Sequence, residues 1–533
     1  MTAPARTLTL GGTPYPLVLP NIRDPRLHVA SVIITIHVLG QVGLHFHVSV
    51  PQILAAILAC WVMEVALTFR SARMFVWPAS AMLTGSGVAL ILRVVGTPAD
   101  QPWYTGDWWV FAGVAAFSLA TKYVIKYRGT HVFNPSNVGL VIAFVVLGSS
   151  RVEPLDFWWG PLTVWLLIAY TVILVGGTLI TRRLKLIALA ATFWLAITAG
   201  LGVLAASGHC MTANWAFAPV CGFDFWRVIV ISPELLIFLF FMITDPKTTP
   251  SGRVGRIVFG LLVAIVSTLL MAPQTDEFGT KVGLLAGLVL VCAARPLIDR
   301  VVPAPGSEDD RVRAYLRRLV PVGASGSGLA HRMAVAGVGL VAVLVVGTGI
   351  VVAGTPARGT VTPVSVEALT RTPTQIDPAT LPAITVSDDV RSFDPELDGA
   401  GMEAVVVTLA QNLGLERQAL LSGDAKLLEA VDHGDRLDEM RRRLTDTTAS
   451  GMTRVERYAF DSIATRLIVP FGKQTGLSLG LDSRGTVTEE VYDANGNLVS
   501  SDERPFEQTF AVRRALGNRW LNVGAFPIGS DGP

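Results

Sequence analysis

Two stretches of the chain place amide, hydroxyl and carboxyl side chains at the ends of short apolar segments. Asn134 and Asn137 stand at the start of one segment, and Thr244 and Asp245 stand at the end of another. A planar cofactor needs amide and hydroxyl partners for its polar edge and an apolar slot for its ring. These four residues are therefore the first candidates for a ligand site in an apolar environment.

The first of these segments is too short to cross a membrane. Asn134 can cap a helix, and Pro135 suits the first turn, where a missing N–H costs nothing. Only about thirteen apolar or small residues follow, as far as Gly148, whereas roughly twenty are needed to span a bilayer. Three cations precede the segment, Lys122, Lys126 and Arg128. The pattern predicts a half-spanning helix whose N-terminus faces something polar.

The second segment ends in an acid that needs an explanation. A negative charge at the C-terminus of a helix is unfavourable because of the helix dipole. Asp245 stands there, just before Pro246. Two explanations stay open: the carboxylate pairs with Lys247 or Arg253, or it binds the polar edge of a cofactor.

The composition indicates a polytopic membrane protein. Of 533 residues, 51% are hydrophobic and only 16% are charged, whereas about 25% are charged in soluble domains. The net charge of +2 does not indicate a nucleic-acid partner. Four cysteines make no disulfide framework. Cys60 and Cys292 are expected to pack as small hydrophobes, whereas Cys210 and Cys221 can form a bridge if their loop faces an oxidising compartment.

Eleven apolar runs are predicted to cross or enter the membrane. They lie near residues 28–43, 51–69, 76–96, 108–121, 135–148, 161–180, 184–205, 233–243, 257–272, 282–294 and 333–353. Lys and Arg accumulate in alternate connections, and the outer connections of the first ten segments hold only Arg151, Arg227 and Lys281. By the positive-inside rule the N-terminus is cytoplasmic, and the protein is expected in the plasma membrane among its lipids.

The first ten segments divide into two halves of five, and an odd number inverts the second half relative to the first. Each half has a short segment that follows a proline, Pro78 or Pro233. Short, proline-interrupted segments at matching places in inverted halves point to a site near the midplane. Ordinary kinked helices are the alternative. The fold prediction is an all-α, ten-helix inverted repeat (5+5) with half-span helices.

Composition divides the chain into six regions. They are a cytoplasmic N-terminus (1–27), the ten-segment membrane domain (28–301), a cytoplasmic connection (302–332), an eleventh transmembrane helix (333–353), a Pro/Thr-rich linker (354–394) and an extracytoplasmic domain (395–533). In the last region, helical spacing over 401–414, 416–431 and 436–445 precedes strand-like alternation and a hairpin signal at 493–497. Gly434 is interpreted as a stop between the last two helices. Helices followed by an antiparallel sheet predict an α+β domain, whose order resembles the cone-shaped fold of the nuclear-transport-factor-like superfamily.

Ionisable residues within predicted spans are functional candidates because burying them in a membrane is costly. Glu64 lies well within the second segment, where it can snorkel, pair with a cation of a neighbouring helix or serve a function. Arg93 is near an outer end and is expected to snorkel. His37 is interpreted as packed or hydrogen-bonded, and no metal site is predicted.

Four motifs resemble the membrane-embedded flavin proteins of two complexes, the sodium-pumping NADH:quinone reductase and the Rnf electron-transport complex. The match covers about 21–301 in the family's order, and the compact loops look most like the membrane protein encoded with enediyne biosynthesis genes. The motifs are Gly129-x-x-x-Phe133-Asn134-Pro135-x-x-x-Gly139, Phe241-Met242-x-Thr244-Asp245-Pro246-x-Thr248-x-Pro250, Pro296-Leu297-Ile298-Asp299 and Ser80-Ala-Met-Leu-Thr84-Gly85.

The resemblance implies an inverted-repeat fold, flavin binding in the membrane and electron transfer. It implies FMN or riboflavin near Asn134, Asn137, Thr84, Thr244 and Asp245. The family attaches FMN to a threonine of a Ser-Gly-Ala-Thr loop, but the matching loop here, 149–160, has no threonine. The sequence therefore favours a non-covalent flavin over a covalent one.

Three functions follow for testing. The first is a redox subunit that works with partner proteins in a biosynthetic or respiratory electron-transport system. The chain has no dinucleotide fingerprint or Fe–S cysteine cluster, so it is not expected to oxidise NADH itself. The second is a channel or transporter that has lost the flavin. The third is a membrane scaffold whose outer domain binds a protein or lipophilic ligand.

Overall fold

The computed structural model describes residues 6–10, 12–21, 24–98, 101–155, 163–213, 216–320, 328–357, 381–468, 477–514 and 519–530. The chain forms two compact units. The first, called the membrane unit below, is Met1–His209 with Cys221–Arg358, and the second, the sheet unit, is Cys210–Val220 with Gly359–Pro533. The sequence did not predict that an internal loop of eleven residues groups with the C-terminal region.

The membrane unit is helical and hydrophobic. Within the described residues, seven helices or helix runs are long and apolar enough to cross a membrane. A further pair, Glu277–Ala293 (α11) and Arg295–Val301 (α12), bends by 59° and passes the same test only as one broken span. The seven are Pro25–Val42 (α1), Val50–Ala72 (α2), Val164–Arg183 (α6), Ile187–Ala206 (α7), Gly222–Met242, Arg253–Met271 (α10) and Arg332–Ala353. These helices indicate a membrane protein, as the composition predicted.

Two helices are short, and both lie where the sequence predicted half-spans. Ala79–Ile91 (α3) follows Pro78, and Pro135–Leu147 (α5) follows Asn134. Each has 13 residues, a length of about 20 Å at 1.5 Å per residue, which is less than the hydrocarbon core of a bilayer. The helix between them in sequence, Trp108–Val124 (α4), has 17 residues.

The segment predicted at 76–96 is wrong in its length. Its helix ends at Ile91, and Leu92–Val94 (β4) pairs with Val152–Pro154 (β7) in an antiparallel ladder that places Arg93 opposite Glu153. Arg93 is only 8% exposed. The prediction that Arg93 snorkels is therefore also wrong, because a cross-strand carboxylate is its partner at 3.6 Å.

The eighth apolar run is broken into three pieces. Gly222–Val230 (α8) ends before Ser232, whose side chain caps Pro233–Ile237 (α9) by accepting the N–H of Leu235 at 3.0 Å. Pro233 cannot donate a backbone hydrogen bond, which favours a new helix start at this point. A π-helix, Phe238–Met242, continues directly from α9.

The remaining elements of the membrane unit are short, except for the last helix. Near the N-terminus, a small sheet joins Arg6–Leu10 (β1), Thr13–Val18 (β2) and Phe75–Val76 (β3). Lys126–Tyr127 (β5) pairs with Thr130–His131 (β6) just before α5. Two helices complete this unit, Val312–Leu319 (α13) and Gly328–Ala353 (α14).

The sheet unit packs four helices against a five-stranded sheet. The helices are Asp388–Phe393 (α15), Ala400–Ser422 (α16), Ala425–Val431 (α17) and Gly434–Ser450 (α18). The strands, in spatial order, are Ala383–Thr385 (β10), Thr453–Ile468 (β11), Ser478–Tyr492 (β12), Leu498–Arg514 (β13) and Trp520–Phe526 (β14). All neighbours are antiparallel except the first pair, which is parallel. The hairpin turn predicted at 493–497 joins β12 to β13, with Gly496 at a φ of 80°.

Several predicted boundaries in the sheet unit are wrong. Residues 401–414 and 416–422 form one helix, because Leu413 and Leu415 are both buried on it without a break. Gly434 begins the third helix rather than ending the second. Residues 358–380 of the predicted linker lie outside the described residues, but 383–385 join the sheet as its edge strand.

The loop segment of this unit contributes to its core. The Phe217 ring lies 5.4 Å from that of Trp520 and 4.9 Å from that of Phe393. Cys210 and Cys221, at the two ends of the loop, are both disulfide-bonded, which confirms the bridge that the sequence allowed. Cys60 and Cys292 are free and buried, as predicted for small hydrophobes.

Candidate functional site

Asn134 connects the two stretches that the sequence singled out. Its Oδ1 caps α5 by accepting the N–H of Asn137 at 3.3 Å and the hydroxyl of Ser136 at 2.8 Å. Its Nδ2 donates to the carbonyl oxygen of Met242 at 3.2 Å. One side chain therefore fixes the start of α5 against the end of the π-helix, 108 residues later in the sequence.

The π-helix positions Thr244 and Asp245. It is closed by the bond from the N–H of Ile243 to the carbonyl of Phe238, five residues earlier, at 3.1 Å. Thr244 donates its hydroxyl to the carbonyl of Phe240 at 2.5 Å. Single π-turns within helices are rare and occur frequently at functional sites. The local geometry therefore agrees with the choice of this stretch as a site.

Asp245 makes contacts that the sequence did not single out. Its Oδ2 lies 3.2 Å from Nε2 of His131, on the strand before α5, and its Oδ1 accepts the backbone N–H of Lys247 at 3.0 Å. The first explanation of Asp245, a side-chain pair with Lys247 or Arg253, is wrong: the side-chain partner among the described residues is His131.

These groups line one cavity of about 500 Å³, within the 300–1,000 Å³ typical of small-molecule sites. Its wall is built by α1, α3, α5, α6 and the stretch from Ile237 to Lys247. Apolar side chains such as Leu83, Ile180 and Phe240 make part of the wall. The polar lining residues are Ser80, Thr84, His131, Asn134, Ser136, Thr244 and Asp245, and the charged residues Asp24, Arg26 and Lys247 also border the cavity.

Four of the five predicted site residues meet at this cavity. Thr84, Asn134 and Thr244 are each less than 10% exposed, and the Asp245 side chain is 20% exposed. Asn137 does not line the cavity. It is buried on another face of α5, where its Nδ2 donates to the carbonyl of Leu285 on α11 at 3.0 Å.

A polar network reaches the cavity wall from α2 and α4. Glu64 pairs with Lys122 at 3.0 Å and accepts a hydrogen bond from the hydroxyl of Tyr123. Nζ of Lys122 lies 3.5 Å from the hydroxyl oxygen of Ser80, which lines the cavity. Of the interpretations left open for Glu64, pairing with a cation of a neighbouring helix is confirmed.

A second, smaller cavity of about 40 Å³ shares part of this wall. Ile91, Ile237 and Met242 line both cavities. The smaller one also contacts Glu234 and Lys281, which pair at 3.2 Å. Polar groups therefore lie on both sides of a thin apolar partition. His37 takes no part in either cavity; it is buried, with Nε2 3.3 Å from the carbonyl oxygen of Ser86, as its interpretation required.

The sheet unit contains a buried polar cluster of its own. Arg436 contacts Glu416 through two bonds, of 3.1 and 2.5 Å, and both side chains are less than 5% exposed. Asn522 donates to the same carboxylate at 2.7 Å. Burial opposes ionisation of Glu416, but the Arg436 guanidinium outweighs it and lowers the pKa of that carboxyl. Burial and the adjacent Glu416 charge raise the pKa of Asp432 well above its usual 3.8.

The raised pKa of Asp432 predicts that the sheet unit loses stability as the pH rises. Above about pH 4 the unfolded chain releases this proton and the folded chain keeps it, so the free energy of unfolding falls with pH, by at most about 1.4 kcal/mol per pH unit. Asp432→Asn should remove that slope. Hydrogen exchange of β14 in the full chain, corrected for the intrinsic rate, measures it between about pH 5 and pH 8. Equal slopes for the two proteins would contradict the assignment.

Comparisons with known proteins identify no family for this chain. A scan against protein-family models gives no match, and a search of curated proteins finds no relative.

Proposed function

We propose that this protein is an integral membrane electron-transfer subunit that holds a flavin, FMN or riboflavin, non-covalently in the 500 Å³ cavity. One observation carries the proposal. Thr84, Asn134, Thr244 and Asp245, chosen from separate motifs, all line one cavity that is apolar in most of its wall. Residues from both halves of the membrane sequence are needed to build it.

The lining residues fit the chemistry of a flavin ring. Asn134 Nδ2 uses one hydrogen for Met242 and keeps a second to donate to a ring carbonyl. The Asp245 carboxylate can accept an N–H of the ring. Phe240, Leu83 and Ile180 offer apolar surface to the remainder. When bound, a flavin exchanges one or two electrons with its partners, and the protein supplies its position and electrostatic surroundings.

Arg26 and Lys247 suit an anionic substituent. Both line the cavity, and both are exposed to solvent, so a phosphate near them would remain hydrated while gaining two cations. This arrangement favours FMN as well as riboflavin. The covalent attachment point of the family lacks a counterpart, since the 149–160 loop has no threonine.

The proposal includes the finer architecture. We infer ten segments in two inverted halves, with α3 and α5 as the half-spans of the first half and α9 with the π-helix in the second. The positive-inside pattern supports a cytoplasmic N-terminus in the plasma membrane and an extracytoplasmic sheet unit. The disulfide-bonded Cys210 and Cys221 agree with an oxidising compartment on that side. Partner proteins would deliver and remove the electrons.

A transporter is the second candidate, because of the two cavities. Only the side chains of Ile91, Ile237 and Met242 are common to both walls. A partition of that kind between polar cavities is typical of a closed path for a solute or ion.

The absorbance and fluorescence spectra of the detergent-purified protein distinguish these functions. We expect an oxidised flavin spectrum, and acid precipitation should release the flavin into the supernatant. Flavin that stays in the pellet would contradict the non-covalent assignment. A folded preparation without flavin, which also fails to take up added FMN and riboflavin, would overturn the redox proposal and favour transport.

A further inference from the structure

Helix α13, Val312–Leu319, has an apolar stripe that the described part of the protein leaves largely uncovered. Val312, Tyr315, Leu316 and Leu319 recur at the spacing of one helical face. Of these, only Tyr315 is buried, at 8% exposure. Val312, Leu316 and Leu319 are 39%, 36% and 54% exposed. One aromatic side chain therefore holds the helix to the unit, and the aliphatic ones face outward.

The same helix is strongly basic. Arg313, Arg317 and Arg318 occur within its eight residues, Arg311 precedes it, and all four are exposed. Arg318 has one weak partner, Asp309, at 3.7 Å. A short helix with an exposed aliphatic face and arginines beside it is suited to lie in the plane of a membrane interface, with its apolar face among acyl chains and its cations among headgroups.

The position of α13 agrees with such a role. Asp310, two residues before the helix, accepts the backbone N–H groups of Arg253 and Val254 at 3.1 and 2.9 Å. These two residues begin α10, which is long and apolar enough to cross a membrane. Asp310 also accepts the N–H of Gly306 at 3.2 Å. The N-terminus of α13 is therefore fixed beside the end of a candidate span, where the membrane interface would lie.

We propose that α13 is an interfacial anchor that binds the phosphate-bearing headgroups of anionic phospholipids. Charge complementarity selects the occupant: a zwitterionic leaflet offers acyl chains to Leu316 and Leu319 but no net charge to the four arginines. An acidic partner protein would match the arginines, but it would not require the aliphatic face to lie at the end of a span. The inference does not depend on whether a flavin is bound.

The test uses the full-length protein in lipid nanodiscs and measures hydrogen exchange of the peptide that covers residues 311–320. Discs of phosphatidylcholine alone are compared with discs that contain phosphatidylglycerol. We expect exchange to slow when phosphatidylglycerol is present and to return to the phosphatidylcholine rate in Arg313→Gln/Arg317→Gln. Retention of phosphatidylglycerol, followed by native mass spectrometry, should fall about fivefold for each arginine removed.

Two controls separate the parts of this inference. Arg391→Gln/Arg441→Gln removes two exposed arginines of the sheet unit and should leave lipid retention unchanged. Leu316→Ser/Leu319→Ser keeps every charge and should still abolish the slowing. Equal exchange in both kinds of disc would overturn the proposal. So would slowing that needs an added cytoplasmic protein fraction and is indifferent to phosphatidylglycerol, since the partner would then be a protein.

Discussion

Asn134→Ala is expected to lower the flavin content of the purified protein at least about tenfold, because a buried donor and acceptor are lost together. The change removes the donor to the Met242 carbonyl, the cap of α5 and the hydrogen available to a ring carbonyl. Asp245→Ala should have a similar effect, because it removes the acceptor and the partner of His131. Flavin per folded protein is measured after size-exclusion chromatography.

Two further variants show which function of Asn134 matters. Asn134→Asp keeps an oxygen that can cap α5 but has no amide donor, so it should insert normally and still lose flavin. Asn137→Ala removes an amide of the same helix that faces Leu285 instead of the cavity, and it should retain flavin. If Asn134→Ala keeps wild-type flavin, or if Asn137→Ala loses as much, the cavity is not the binding site.

Glu416→Ala should destabilise the sheet unit by about 3–5 kcal/mol, because it leaves a buried guanidinium without its partner. Arg436 is 3% exposed and has only Glu439, which is 32% exposed, as a further carboxylate partner. Asn522 would lose an acceptor as well. A loss of this size is a large part of the stability of a typical domain. Hydrogen exchange of α16 and β14 in the full chain measures it.

The matched control is an ion pair that is exposed. Arg441 and Glu429 lie 2.7 Å apart, with side chains 45% and 42% exposed. Glu429→Ala should cost no more than about 1 kcal/mol, because water stabilises the arginine that remains. If both variants exchange at the same rates, the buried pair does not stabilise the sheet unit through its burial.

Local signals were sufficient to predict most of the cavity. Asn134 was identified by helix capping, Thr244 and Asp245 by the end of an apolar run, and Thr84 by a motif. Each signal depends on residues close in sequence, and the structure then brings the four to one cavity. The short lengths of α3 and α5 were also readable, because apolar run length follows directly from composition.

The errors come from contacts that are distant in sequence. His131 pairs with an aspartate 114 residues away, and no local pattern distinguishes it from an ordinary strand residue. Asn137 was included because it lies one turn from Asn134, but the rotation of α5 directs it to α11. Arg93 was judged by its distance from a segment end, whereas strand pairing with Glu153 determines its burial. Sequence patterns describe a helix face well and its neighbours poorly.

The π-helix makes the cavity sensitive to the length of the chain. A π-turn holds one residue more than the α-helical turn that it replaces. Deleting a single residue between Phe238 and Met242 would let α9 continue as a regular helix. Everything after the deletion would then rotate by about 100° around the helix axis. Thr244 and Asp245 would leave the cavity although neither had been mutated. Insertions and deletions in this stretch are therefore more harmful than substitutions, and related chains should conserve its length more strictly than its residues.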